Sequence, residues 1–150
     1  MSQRVGGAGE PLEELLAIVE IRSLKARYFR YMDTKDWEAF ADQFTADATM
    51  DTSGEAGGGV IQGRSEIASF VRNAISEVTT VHHGHMPEIN IISPTEATGV
   101  WAMEDMLRWP DASPIRALHG YGHYHDTYEK VRDRWLIKTT KLTRLRLDVT

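Results

Sequence analysis

The feature that most constrains this chain is a change of hydrophobic period near Glu77. Before that residue, apolar side chains recur at spacings of three and four, as they do on one face of a helix. After it, apolar and polar residues alternate or form short apolar runs, which is typical of strands. Helices followed by hairpin-linked strands indicate an α+β fold, with the helices on one face of an antiparallel sheet.

Three helices are predicted. The first runs from Pro11 to Met32 and carries a buried stripe: Ala17, Ile21, Leu24, Tyr28 and Tyr31. The second lies in "TKDWEAFADQF" and has three aromatic residues on one side: Trp37, Phe40 and Phe44. The third begins at an N-cap, Ser65, and has its own buried stripe: Ile67, Phe70, Val71 and Ala74. Before the third helix, "TADATMD" predicts a strand and "SGEAGGG" a flexible loop.

Five further strands are predicted after Glu77. They are "VTTVHHGHM", "EINIIS", "ATGVWAMEDMLRW" (97–109), "IRALHGYGHYHDTYEKV" (115–131) and "RWLIKTTKLTRLRL", separated by turn signals at Pro87, "SPTEA", "PDASP" and "RDR". Strands as long as 97–109 and 115–131 need bulges and strong curvature. A curved sheet closed by helices forms a cone whose cavity suits a small molecule.

The composition excludes several classes of function. A formal net charge of −5 and a pI near 5.7 argue against nucleic-acid binding, which requires clustered Lys and Arg. The chain has no cysteine, so it has neither disulfides nor a thiolate metal site. No stretch has the roughly 18 apolar residues that a membrane span requires. We expect a cytoplasmic protein with a flexible tail (1–10) and a single domain (11–150).

The strand around residue 105 places one acid among apolar residues. Alternation puts Asp105 on a face whose other members are apolar: Trp101, Met103, Leu107 and Trp109. A carboxylate there is costly unless it is hydrogen-bonded or neutralised. Two interpretations remain open at this point. Asp105 is either a structural partner of an arginine or a backbone N–H, or a tuned acid that lines a pocket.

Histidines are concentrated in two strands. His83 and His85 alternate onto one face and His82 onto the other, unless a bulge intervenes at Gly84. A second group shares one face of the predicted strand 115–131: His119, Tyr121, His123 and His125. Paired histidines raise the hypothesis of a metal site. We favour instead a single pocket histidine that works as a base, without metal or other cofactor, because the imidazole pKa suits proton transfer near neutrality.

The order of blocks resembles the SnoaL-like branch of the nuclear-transport-factor-2-like (NTF2-like) superfamily. The similarity extends from Glu20 to Arg146 and rests on "LKARYFRYMDTKDWEAF", "VHHGHMPEI", "ATGVWAMED" and "YEKVRDRWLIKTTKLTR". Within the branch the chain is most similar to the bile-acid 7α-dehydratases and more distantly to the scytalone dehydratases. The resemblance implies a cone in which three N-terminal helices pack on a strongly curved, mostly antiparallel sheet that encloses a pocket.

The resemblance also implies a functional set. Its members are Tyr28 in "ARYFRYMD", Asp33 five residues later, His82 in "HHGHMPEI", Asp105 in "WAMED" and Arg144 in "KLTRLR". His82 would be the base, oriented by Asp33. Tyr28 and a protonated Asp105 would hydrogen-bond an oxyanion or a departing hydroxyl, and Arg144 would pair with a carboxylate of the protein or of the substrate. From the residues alone, Asp33 could equally serve the turn into the second helix.

Six further residues are predicted to line the substrate pocket. They are His85, Trp101, Met103, Trp109, Tyr121 and Phe70. We expect a cofactor-free dehydratase that acts on a hydrophobic cyclic carbonyl substrate, either steroid-like, aromatic or polyketide. The alternatives are a ketosteroid-isomerase-like or polyketide-cyclase-like enzyme and a non-catalytic small-molecule-binding protein. The resemblance also implies a homotrimer or homodimer whose contact includes part of residues 119–128.

Overall fold

The structure is a computed structural model that describes residues 10–55 and 57–150. Within these ranges the elements are α1 (Glu10–Thr34), α2 (Trp37–Ala41), β1 (Phe44–Asp51), β2 (Val60–Gln62), α3 (Arg64–Ile75), β3 (Thr79–Ser93), β4 (Glu96–Arg108), β5 (Ala117–Val131) and β6 (Arg134–Val149). The predicted tail lies almost wholly outside the described residues, and its last member, Glu10, belongs to α1. None of the described helices is long and apolar enough to cross a membrane.

The strands form a single curved and unclosed sheet, with the order β2-β1-β6-β5-β4-β3. Strands β1 and β6 are parallel, and the other neighbours are antiparallel. Register shifts interrupt the pairing of β5 with β6 after Tyr121 and after Thr127, so the long strands contain the irregularities that curvature requires. The predicted α+β fold, with helices packed on a strongly curved sheet, is confirmed.

Helix α1 forms because its apolar residues recur on one side and bury themselves against the sheet. Ile21, Leu24 and Tyr28 are at most 3% exposed, and the helix ends before Lys35, which has a positive φ of 63°. Helix α2 is shorter than predicted because Asp36 caps it and the chain turns after Ala41. The ring of Phe44 is fully buried, as expected, but the residue opens β1 instead of belonging to the helix.

Helix α3 corrects two predictions. Its N-cap is Gly63, whose φ of 92° favours glycine, and Ser65 lies inside the first turn. Phe70 is 40% exposed and Ala74 is also exposed, so neither belongs to the buried side. That side is formed by Ile67, Ala68, Val71 and Ile75.

The predicted turn at Pro87 was wrong, because residues 79–93 form one strand. Strand β3 lies at the edge of the sheet, and a register shift separates the pairs formed by Gly84 and Pro87. A proline lacks the N–H that a central strand requires, but edge strands and bulges accommodate it. The short strand β2, which pairs with β1, was not predicted either.

One buried charge was not predicted by the hydrophobic pattern. Lys25 is fully buried and donates a 2.7 Å hydrogen bond to Asp126, which is also inaccessible. The carboxylate accepts two more hydrogen bonds, from Thr140 and Tyr128. The Lys25 ammonium lies 3.9 Å from the centre of the Tyr124 ring, which adds a cation–π contact. Burial lowers the pKa of Lys25, and Asp126 opposes that effect.

Candidate active site

The inner face of β4 carries the acid that alternation predicted. Trp101, Met103 and Asp105 are each at most 5% exposed, whereas Glu104 is directed to the other face. Strand β3 pairs beside β4 with His82 opposite Asp105, so the two side chains lie next to each other on the inner face. The sheet register therefore brings together two residues that are far apart in the sequence.

His82 and Asp33 are joined by hydrogen bonds at two atoms of the histidine. Its ring Nδ1 lies 2.6 Å from Asp33 Oδ1, and its backbone N–H donates to Oδ2 at 2.9 Å. Thr80 donates a third hydrogen bond to Asp33, at 2.9 Å. Asp33 therefore ties the end of α1 to β3, while Asp36 is the residue that caps α2. Because the carboxylate is an acceptor, it favours the tautomer with the proton on Nδ1 and leaves Nε2 with a lone pair.

Asp105 forms a bidentate ion pair with Arg144. The distances are 2.7 Å from Nη1 to Oδ1 and 2.9 Å from Nη2 to Oδ2. This geometry favours an ionised carboxylate, so it does not support the predicted role of Asp105 as a protonated donor. Glu55, in the loop between β1 and β2, accepts a hydrogen bond from Arg144 Nε at 2.8 Å. Burial alone would lower the pKa of Arg144, but the hydrogen bonds to Asp105 and Glu55 outweigh it and raise that pKa.

A glycine makes room for this ion pair. A Cβ atom on Gly120 would lie 2.3 Å from both Arg144 Nη1 and Asp105 Oδ1. Gly120 pairs with Asp105 in the register of β4 with β5, so the guanidinium crosses β5 directly over it. Any side chain at position 120 would therefore displace one of the two charged groups.

Tyr28 is buried in the core beside Tyr124. Its ring packs edge-on against Tyr124, at 5.9 Å between centroids, and the residue is 3% exposed. Burial, reinforced by the charge of Asp126, raises the pKa of Tyr28, and burial likewise raises the pKa of Tyr124. Both phenols are therefore neutral hydrogen-bonding groups at ordinary pH, and neither can act as a base.

The free nitrogen of His82 faces the ion pair without bonding to it. Nε2 lies 4.0 Å from Asp105 Oδ2, which is too long for a hydrogen bond, and it has no partner among the described residues. The side chain of His82 is 7% exposed and that of Arg144 is 17% exposed. The lone pair of His82 Nε2 and the positive charge of Arg144 therefore lie on either side of Asp105. The arrangement can remove a proton and stabilise negative charge nearby.

A groove leads from the surface to His82 and Asp33. It has a volume of about 600 Å³ and lies between α1 and the edge strand β3. Phe29, Gly84 and Trp101 form its apolar part, and a Cβ atom on Gly84 would lie 2.6 Å from the Phe29 ring. Glycine at this position therefore allows α1 to pack closely against β3.

The remaining histidines of β3 lie on the outer face of the sheet. His83 and His85 approach Glu104, at 3.3 and 3.8 Å, and His119 approaches it at 3.4 Å. His85 nevertheless lines the rim of the groove. Tyr121, predicted to line the pocket, stacks on His119 on this outer face, because odd-numbered residues of this part of β5 point away from Asp105. The assembly into a homotrimer or homodimer through this face stays a prediction.

The other predicted pocket residues differ in their positions. Trp101 donates a hydrogen bond to Tyr128 at 2.8 Å, and Met103 lies 3.8 Å from Arg144 through its sulfur. Trp109 follows the end of β4 and packs, half-buried, against the core. Phe70 is on the exposed side of α3 and is not part of this group.

Sequence reasoning missed three contributors to the site: Glu55, Gly120 and Tyr124. Glu55 lies in a loop, where no periodicity indicates direction. Gly120 and Tyr124 share the inward face of β5, and strand alternation could have identified them. Across residues 10–55 and 57–150, no group of three or more His, Asp or Glu side chains is arranged to hold a metal ion. The independence from metal and cofactors stays a prediction.

The fold is therefore an α+β fold whose curved sheet carries His82, Asp105 and Arg144 on its inner face. The model of the SnoaL-like domain family matches residues 13–141, and the chain belongs to that family. The predicted superfamily is therefore confirmed, while the closer similarity to the bile-acid enzymes stays a prediction.

Individual relatives share the fold at low sequence identity. The chain is 26% identical over 140 residues to "Probable cyclase FGR4" of Gibberella zeae, and the alignment covers 88% of this chain and 92% of the relative. A structure described as "Putative Scytalone Dehydratase", from Novosphingobium aromaticivorans, has a TM-score of 0.80 at 22% identity, with 91% and 89% covered. A hexachlorocyclohexane dehydrochlorinase (LinA, type 2) has a TM-score of 0.82 at 15% identity, with 93% of each chain covered. The two structures support the fold, and neither defines the reaction.

Proposed function

We propose that this protein is a cofactor-independent lyase that eliminates water from a hydrophobic cyclic carbonyl compound. One observation carries the proposal: Nδ1 of His82 is hydrogen-bonded to Asp33, while Nε2 faces the Asp105–Arg144 pair. Such a base suits the removal of a proton from a carbon beside a carbonyl group. The nearby guanidinium and the neutral hydroxyl of Tyr28 favour the negative charge that the carbonyl oxygen acquires.

The proposed reaction has two steps. Nε2 of His82 first takes the proton from carbon, and the C–H electron pair forms the double bond of an enolate. The enolate then re-forms the carbonyl and expels the hydroxyl group from the neighbouring carbon. That oxygen takes the proton back from His82 and leaves as water, so the histidine returns to its neutral form. Asp33 orients the ring, and Asp105 holds Arg144 in place.

Cyclisation is the second candidate, because the relative from Gibberella zeae is described as a probable cyclase. A proton removed beside a carbonyl produces a nucleophilic carbon, and that carbon can attack a second carbonyl group in the same molecule. An isomerase would use the same first step and return the proton to a different carbon. Dehydration lowers the mass by one water, whereas cyclisation and isomerisation leave the mass unchanged and differ in the chromophore that they produce.

The test is incubation with 3-oxo-Δ4 steroids and hydroxylated polycyclic ketones, followed by mass spectrometry and ultraviolet spectroscopy. Loss of water supports the dehydratase. An unchanged mass with a shifted spectrum would instead indicate an isomerase, and ligand recovered unchanged from the protein would indicate a binding protein. The matched control is His82→Ala, and water loss at the wild-type rate in that variant would contradict the proposed base.

A further inference from the structure

The residue that follows helix α1 has a backbone conformation that favours glycine. Lys35 has a φ of 63°, in the left-handed region. Its N–H donates to Met32 O at 3.3 Å, and the next N–H, of Asp36, donates to Tyr31 O at 2.9 Å, so the turn is a Schellman motif. Glycine usually occupies this position, and another residue strains the backbone. The end of the helix alone therefore does not explain a lysine here.

The side chain of Lys35 reaches strand β3. Its Nζ donates a hydrogen bond to Thr80 Oγ1 at 2.9 Å. Thr80 is 5% exposed and donates in turn to Asp33 Oδ1, also at 2.9 Å. The same Oδ1 atom lies 2.6 Å from Nδ1 of His82. A continuous chain of hydrogen bonds therefore joins Lys35 to the proposed base.

The first member of this chain fixes its direction. An ammonium group donates hydrogen bonds and cannot accept them, so the Thr80 hydroxyl accepts from Lys35 and directs its own hydrogen elsewhere. Oδ1 of Asp33 is the acceptor on the other side. Partial burial lowers the pKa of Lys35, and the charge of Asp33 opposes that effect, so the carboxylate favours the charged, donating form of the lysine.

Charged side chains surround the imidazole of His82 as two pairs of opposite sign. Asp105, from β4, lies 4.0 Å from Nε2 and is paired with Arg144, from β6. Asp33, from the end of α1, bonds to Nδ1 and has Lys35 two hydrogen bonds away. A carboxylate beside an imidazole favours the protonated ring, and a cation favours the neutral one. Farther groups are exposed or partly exposed, so water and salt screen their charges: Glu55 beyond Arg144, and Arg22, Arg30, His83 and His85 along the groove.

We infer that Lys35 is the positioning residue of the proposed base. Through the hydroxyl of Thr80 it holds the Asp33 carboxylate in place, and its positive charge offsets that of the carboxylate. The imidazole of His82 is thereby kept neutral near pH 7, and only a neutral ring has the lone pair that removes a proton. This inference rests on the proposed function, because the protonation of His82 matters to the reaction only if that residue is the base.

The test is a pH titration of His82, followed by the NMR signal of its ring Cε1–H, in the wild-type protein and in Lys35→Gly. Glycine relieves the backbone strain, so the variant should melt at the wild-type temperature or above it. The loss of the positive charge should nevertheless raise the pH at which half of His82 is protonated by about half a pH unit or more. The acid limb of the kcat/KM profile should move in the same direction, so that activity there falls by about threefold or more.

Three further variants isolate the cause. Lys35→Met removes the charge without relieving the backbone and should shift the midpoint of the titration as far, whereas Lys35→Arg keeps the charge and should keep the midpoint near the wild-type value. Arg132→Gly is the matched control. Arg132 also has a positive φ, of 48°, but it is exposed in the turn between β5 and β6, outside the groove. That change removes the same charge and should leave the midpoint unchanged.

An unchanged midpoint in Lys35→Gly and Lys35→Met, or an equal rise in Arg132→Gly, would overturn the inference. A lower melting temperature of Lys35→Gly without a change of midpoint would also overturn it, because Lys35 would then serve the fold alone. Turnover is measured separately on the ketone substrates. A raised midpoint in a protein without any turnover would contradict only the proposed function, and turnover with an unchanged midpoint would contradict only the inference.

Discussion

The cone contains two buried carboxylate–cation pairs that differ in how completely their surroundings satisfy them. In the Lys25–Asp126 pair, both side chains are fully buried, and Asp126 accepts three hydrogen bonds from protein groups. In the Asp105–Arg144 pair, Arg144 is 17% exposed, and Nε2 of the adjacent His82 has no hydrogen-bond partner among the residues that the structure describes. The first pair is inaccessible to a ligand, whereas the second is partly accessible. The contrast predicts that the Lys25–Asp126 pair contributes to stability and that the residues around the Asp105–Arg144 pair take part in the proposed reaction.

The largest effect is expected from substitutions beside the Asp105–Arg144 pair. His82→Ala should lower kcat/KM by about 10²–10⁴, which is the usual contribution of a general base. Asp33→Asn should also lower it, because an amide can hold the imidazole in the wrong tautomer. The double variant should lose little more than the worse single one, since groups that act as a unit are not additive.

The control for this experiment is His83→Ala, one residue away on the opposite face of β3, which should remain active. Thermal melts of all four variants separate loss of function from loss of fold. Losses that add across His82 and Asp33 would contradict their action as a unit. A His83 variant less active than the His82 variant would mean that a different histidine is the base.

Substitutions in the Lys25–Asp126 pair should instead lower the stability of the fold. Lys25→Met leaves Asp126 charged and buried, so the free energy of unfolding should fall by about 3–5 kcal/mol in urea denaturation. Adding Asp126→Asn removes the uncompensated charge, and the double variant should be less destabilised than the sum of the single ones.

Lys138→Met is the matched control, because Lys138 pairs with Glu129 at the surface and its side chain is 44% exposed. That change should cost at most about 1 kcal/mol. Equal losses of unfolding free energy for Lys25→Met and Lys138→Met would contradict a special contribution of the buried Lys25–Asp126 pair.

The smallest effect is expected in the pH dependence of stability, from Glu104 on the outer face of the sheet. Hydrogen bonds from His83 and then His119 lower the pKa of Glu104. A carboxyl group whose pKa is lower in the folded state stabilises the fold at neutral pH, and this stabilisation is lost as the pH falls below about 5. Glu104→Gln should therefore flatten the acid side of the profile of unfolding free energy against pH. Glu77→Gln, an exposed acid in the turn before β3, is the control and should leave the slope unchanged.

The sequence by itself determined the layout of the cone. The change of period near Glu77 separated the three helices from the four long strands, and alternation placed Asp105 inward with Trp101 and Met103. It also assigned His82 and His83 to opposite faces, which the register of β3 with β4 confirms. These predictions succeeded because each depends only on local geometry, the repeat of a helix or the alternation of a strand.

Only the tertiary structure decided which polar groups meet. Helical spacing along α1 could not predict that Lys25 would be buried, because its partner, Asp126, lies 101 residues away on β5. The same limitation applies to Asp33, which could have served a turn and instead binds His82, and to Asp105, whose partner, Arg144, lies on another strand. Pairing between distant residues depends on sheet register and on where a helix crosses the sheet, and both are set by the packing of the whole core.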